Sequence, residues 1–139
     1  MERRYLPTFS ELIDRLSIVT LKSVFIPENK QAYDKEAADI VHDLDLIVRE
    51  KQVQLTGEMI RSAMIIMLAN RYIWENESKC RSGENQNTDL LKITHSINGV
   101  RNTAKNAISR ELEERVDLKI DCLAADVVNS MQNWNLYTT

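Results

Sequence analysis

Three glycines and two prolines in 139 residues leave this chain few places to turn. A sheet protein needs tight turns every few residues, and glycine and proline supply most of them. Long helices need none. The scarcity of chain breakers therefore points to an all-α fold before any pattern is read. Hydrophobic residues at 43% and charged residues at 28% are enough to fold, and far too apolar for a disordered chain. The length fits one domain with one core, built without disulfides or metal.

The formal net charge is −3. That balance argues against sequence-independent binding to nucleic acid, which needs a basic surface. It leaves room for a local basic pocket that takes a small anion. The apolar run from Ala63 to Ala69 is far too short to cross a bilayer, so no membrane partner is expected. The opening Met1-Glu2-Arg3-Arg4-Tyr5 has no apolar signal-peptide core. Cys80 and Cys122 lie far apart and form no CxxC pair; two lone thiols fit a reducing cytoplasm and read as packing residues.

Thr8 and Glu11 have capping-box spacing after Pro7, which predicts the start of a first helix. Leu12, Ile13, Leu16, Val19 and Val24 recur along it, and Ile26-Pro27 ends it. A second helix is predicted from about Glu28 to Gln52, with Ala32, Tyr33, Ala37, Ile40, Val41, Leu44 and Ile47 facing inward. Thr56 caps a third helix that runs to about Arg81. Its middle is apolar nearly all round, which predicts burial on several sides, with Met59, Met64 and Met67 as core filler. The loop Ser82-Gly83-Glu84-Asn85-Gln86-Asn87 leads to a fourth helix capped by Thr88 or Asn87. Its inner side carries Leu90, Leu91, Ile93, Ile97, Ala104 and Ile108. A last helix carrying Leu118, Leu123, Val127, Val128 and Met131 follows or continues it; no glycine or proline marks a break near 111–117. The expectation is one helical domain over 1–139, a bundle of about five helices with a frayed tail from about 133, assembling as a homo-oligomer.

Asn70, Trp74, Glu77 and Arg81 are spaced by four, three and four residues, so they share one side of the third helix. Asn98, Arg101, Asn102 and Lys105 form a similar stripe on the fourth, with His95 at its edge. The short loop between the helices makes them antiparallel neighbours, and the stripes can face one another across a pocket. Arginine's planar fork matches phosphate. Asparagine can read a base or sugar edge, and tryptophan can stack on a flat ring. Polar stripes on helices are more commonly solvated faces tied by pairs such as Glu77 and Arg81. The tryptophan set among amides and charges, on the most apolar helix, favours a ligand site.

Other chemistries have less behind them. His42 with Asp39 and Asp43 offers a metal face that reads more simply as helix surface. No HExxH, GxSxG or glycine-rich phosphate loop occurs. The pairs Glu11/Asp14, Glu36/Asp39 and Glu111/Glu114 match the carboxylate spacing of helical, metal-dependent nucleotide hydrolases, but 21 acidic residues make chance matches expected. Asp14 and Arg15 suit a cap or an interhelical ion pair.

The segment Glu11-Leu12-Ile13-Asp14-Arg15-Leu16-Ser17-Ile18-Val19-Thr20-Leu21-Lys22 resembles the first helix of a small all-helical family of unassigned function, met near glycosyltransferases and in large tailed phages. The resemblance resumes at Asn70 to Arg81 through Trp74, Glu77 and Lys79, and at Asn98, Arg101 and Lys105, with Glu114 and Lys119 as further matches. It brings no activity, but it adds Asp14, Arg15 and Lys22 to the candidate site. The expected function is non-catalytic binding of a phosphorylated, nucleotide-like molecule at Asn70, Trp74, Glu77, Arg81, Asn98, Arg101, Lys105, Asp14 and Arg15, without cofactor or metal. In the phage setting that the resemblance implies, such a protein would be a sponge for a host immune nucleotide signal. The alternatives are the metal-dependent hydrolase and a pure protein-interaction module.

Overall fold

The computed structural model describes residues 4–81 and 88–115, without the side chains of residues 80, 81 and 88–91. These residues form four α-helices: α1 (Phe9–Phe25), α2 (Lys30–Glu50), α3 (Gly57–Arg81) and α4 (Thr88–Glu111). A single 3-10 turn (Pro27–Asn29) links α1 to α2, and no strand occurs among the described residues. The expected fifth helix, with Leu118 to Met131, lies outside them.

The ends of α1 follow the local signals. Thr8 caps it: its hydroxyl accepts from the Glu11 N–H, and the Glu11 carboxylate accepts from the Thr8 N–H. Pro27 stops it, with Ile26 as the C-cap. Thr56 caps α3 by accepting from the Met59 N–H at 3.1 Å. The same hydroxyl donates to Glu111 at 3.0 Å, tying the start of α3 to the end of α4.

The ends of α2 and α4 carry no glycine or proline, and the backbone shows how they stop. At the end of α2, Gln52 adopts φ 51°, and the Val53 N–H reaches back to the Val48 carbonyl at 3.0 Å. At the end of α4, Glu113 adopts φ 54°, and the Glu114 N–H reaches the Ser109 carbonyl at 2.8 Å. Both are left-handed helix stops of the kind that glycine usually makes. Here ordinary residues occupy the left-handed position, at a cost of roughly 1–2 kcal/mol each. The chain therefore does break between 109 and 117, without glycine or proline.

Helix α1 is the middle layer. It packs on α2 on one side and on the α3–α4 pair on the other. Its buried Ser10, Ser17 and Leu21 fall along one side, and buried Val19 lies about 160–200° round from them, so two opposite sides are covered. The Ser10 and Ser109 hydroxyls meet at 2.7 Å, a close approach that larger side chains would prevent. Glu114 folds its carboxylate onto the free N–H of Phe9, 3.1 Å from each oxygen, where the positive end of α1 favours an anion. Lys51 stands 3.6 Å from the same carboxylate.

The larger apolar cluster joins Phe9, Met59, Ile65, Ile66, Val100, Ala104 and Ile108. A smaller one joins Ala69, Ile73 and Ile97. Val100, absent from the periodic reading of α4, is 2% exposed and central. The expected burial of α3 on several sides holds for one side only. Among the described residues, Ile60, Met64 and Leu68 on its far side remain 49%, 61% and 58% exposed. Met59 fills the core as expected, and Met64 does not. Helix α2 rests on one neighbour and buries only Ile40 fully, which leaves Ala32 and Val41 exposed. Val24 and Ile93 are exposed as well.

Ile66→Ala and Ile97→Ala remove side chains at 0% exposure, and each should lower unfolding free energy by about 2–5 kcal/mol in urea titrations. Met64→Ala should change it by less than about 0.5 kcal/mol. Gln52→Gly should raise stability, since glycine adopts the φ of 51° without strain.

Candidate functional site

The polar half of the bundle is organised around one side-chain amide. Asn70 is 4% exposed, on the face of α3 that meets α1 and α4. Its Nδ2 donates to Asp14 Oδ1 at 2.7 Å and to Ser17 Oγ at 2.6 Å, both on α1. Its Oδ1 accepts from Arg101 Nη1, on α4, at 2.9 Å. The orientation of the amide is forced, because a flipped group would set NH2 against a guanidinium and oxygen against a carboxylate. Ser17 Oγ donates in turn to the Asp14 backbone carbonyl at 2.7 Å. Lys105 Nζ stands 3.6 Å from the other Asp14 oxygen, with both side chains 15% exposed.

Above this network lies a hollow of about 550 Å³. Its polar lining is Lys22, Asn70, Glu77, Asn98 and Arg101, with Trp74 as the aromatic wall and Ile18, Leu21 and Ile73 as the apolar part. The two stripes do face one another as their spacing predicts. Asn70, Trp74, Glu77, Asn98 and Arg101 come together, and Lys22 joins them from α1. Arg101 has Nη1 committed to Asn70, while its buried Nε–H has no acceptor among the described residues. Lys22 Nζ sits 5.9 Å from the centre of the Tyr33 ring, a weak hold that leaves its charge available. The hollow thus combines two cations, one carboxylate, two amides and an indole.

Five candidates stand elsewhere, play a further part or have side chains outside the described residues. Arg15 does not reach the hollow: it points to α2, where its Nε and Nη2 donate to Glu36 Oε1 at 2.9 and 2.7 Å. One turn of α1 cannot present adjacent residues to the same side, so with Asp14 facing α3 and α4, Arg15 turns away. Asp14 and Lys105 do not line the hollow; they pair beneath it and fix Asn70 from below. Asn70 lines it with both amide protons engaged and positions Arg101 through its oxygen, which keeps a second lone pair. Arg81 ends α3, and its side chain lies outside the described part. Ser17, a lone serine with no partner assigned by sequence, is the residue the spacing missed. Its place seven after Ser10 and four before Leu21 puts it on a buried side of α1, a signal present but not specific.

The carboxylates expected of a hydrolase are occupied separately. Glu11 caps α1 and Asp14 holds Asn70 and Lys105. Glu36 holds Arg15, Glu111 holds Thr56, and Glu114 caps Phe9. His42 lies exposed 3.3 Å from Asp43. Among the described residues, no three of His, Cys, Asp or Glu gather as metal ligands. No helix there is long and apolar enough to cross a membrane. Comparison with known protein families finds no matching model, and comparisons with curated proteins and with solved structures find no match.

Asn70→Ala leaves the amide's partners on α1 and α4 without it, in a mostly buried setting. It should lower unfolding free energy by about 1–3 kcal/mol, read by urea titration.

Proposed function

We propose that this protein binds a phosphorylated, nucleotide-like small molecule in the hollow between α1, α3 and α4, and holds it without turnover. The observation that carries this reading is Arg101: a guanidinium fixed by Asn70 at 2.9 Å, lining a hollow of about 550 Å³, with its buried Nε–H without an acceptor among the described residues. Orienting an arginine through a buried amide is what recognition of a planar or tetrahedral oxyanion requires. Lys22 adds a second positive charge. Trp74 offers a stacking face, and Asn98 and Glu77 can meet hydroxyls or a base edge. The volume falls in the range of small-molecule sites, about 300–1,000 Å³.

Among the described residues, five of the six paired carboxylates, Glu11, Asp14, Glu36, Glu111 and Glu114, are held by caps, hydrogen bonds or ion pairs. That engagement favours capture over hydrolysis. Sequestration is the role that capture without turnover would serve, and a sponge for a nucleotide signal is the form that the family resemblance gives it. A homo-oligomer belongs to the same proposal. The interaction-module reading has one observation of its own, the uncovered Ile60, Met64 and Leu68. A cellular activity that survives Arg101→Ala unchanged would favour that reading.

Titration calorimetry against mono-, di- and cyclic nucleotides should show saturable heat with at least one class, and unchanged nucleotide after long incubation with magnesium. Arg101→Ala should weaken binding about 10- to 100-fold, as loss of a charged hydrogen bond implies. Arg101→Lys should not restore it fully, because a point charge lacks the fork. Trp74→Ala should cost about 1–3 kcal/mol of binding if a base stacks there. No heat with any nucleotide would overturn the proposal.

A further inference from the structure

A second hollow, of about 380 Å³, opens on the other side of Trp74. It is lined by Phe25, Arg71, Trp74, Glu75, Ser78 and Lys79. Trp74 lines both hollows, so the indole is a wall common to the two. Its surroundings are flat. The Phe25 ring meets Trp74 edge-on, with centroids 5.4 Å apart and planes at 80°. The Arg71 guanidinium lies over the Phe25 ring, 4.0 Å from its centre, and is held there by Glu75 Oε1 at 2.7 Å. Phe25 is nearly half exposed at the end of α1, where a lone aromatic would gain more from burial than from solvent.

We propose that this second hollow is the ring subsite of the same ligand, and that the ligand is a dinucleotide: two nucleosides joined through phosphate. The inference rests on the phosphate-binding reading of the larger hollow and deepens it. The phenyl ring stands across the indole and is covered by the guanidinium, so the plane this hollow offers a heteroaromatic ring is that of Arg71, backed by Phe25 and 38% exposed; planar bases stack on guanidinium planes as on aromatic faces. Ser78 at the rim supplies a hydroxyl for a base edge. The larger hollow exceeds what a phosphate alone would fill, and it carries its own ring-facing wall in Trp74 with Asn98 and Glu77 beside it. One nucleoside and the linking phosphate therefore sit with Lys22 and Arg101, and the second base crosses Trp74 to rest against Phe25 and Arg71. Both hollows individually reach the size of a small-ligand pocket.

The probes are nucleoside monophosphates with each of the four RNA bases and the sixteen linear 5′-phosphorylated dinucleotides, titrated calorimetrically into the full chain. The expected result is a dinucleotide that binds at least tenfold tighter than either of its constituent monophosphates. Arg71→Gln and Phe25→Leu should each lower that dinucleotide's affinity about tenfold and leave monophosphate affinity unchanged. Ser78→Trp, at an exposed position where folding is not at stake, should plug the smaller hollow and reduce dinucleotide affinity to the monophosphate level. Monophosphates that bind, with dinucleotides no tighter and the three variants without effect, would overturn the second subsite and leave the larger one standing. Absence of binding by every probe to a folded chain would overturn both.

Discussion

Three helices of this protein meet at one side-chain amide. Asn70 offers two protons to α1 and one oxygen to α4 from its place on α3. Each contact lies in a mostly buried setting, where a polar group without its partner is far more costly than the same group in water. The amide thus fixes the relative height and rotation of the three helices more tightly than apolar packing does, because apolar contacts can slide by a fraction of a turn and hydrogen bonds cannot. It also fixes Arg101, and so the positive floor of the hollow. Fold and site share one constraint.

The bundle divides into two ends of different character. At the start of α1, Phe9 and Ile13 join the larger apolar cluster with Met59, Ile66, Ala104 and Ile108. Caps close this end: Thr8 with Glu11, Glu114 on the Phe9 N–H, and Thr56 with Glu111. Toward the end of α1 the packing thins to Ala69, Ile73 and Ile97, and charged and amide groups take over. A well-packed, well-capped end holds the helices in place so that the other end can leave a hollow between them. An open, polar end needs such an anchor, since its own contacts are few.

The cations of the chain are distributed with consequence. Arg15 is spent on Glu36 at the surface, Lys105 on Asp14 beneath the hollow, and Arg71 on Glu75 and Phe25. Surface pairs of the first kind add little to stability. The pair under the hollow does more by its place than by its strength: it offsets the charge of Asp14 beside the Asn70 amide, as the proposed anion site would need. Lys22 and Arg101 are left facing the cavity. A net charge of −3 for the whole chain is compatible with this, because binding of a small anion depends on the few charges within a Debye length, and not on the total.

Local chemistry was legible in the sequence wherever a residue's own backbone preference decided the outcome. The box of Thr8 and Glu11, the stop at Pro27 and the cap at Thr56 follow from hydrogen bonding and sterics within a few residues. So does the alignment of Asn70, Trp74 and Glu77 on one side of α3, and of Asn98 and Arg101 on one side of α4, since helix geometry alone sets it. Three matters were settled only by the tertiary arrangement. Gln52 and Glu113 end helices in a conformation their type disfavours, which only surrounding packing can impose. Arg15 and Lys105, spaced as well as any other candidates, found carboxylates on neighbouring helices whose position no spacing encodes. Asn70 became a junction between three helices because α1 placed Asp14 and Ser17 against it. Periodicity reports which side of a helix a residue occupies, and only the packing of other helices reports what that side meets.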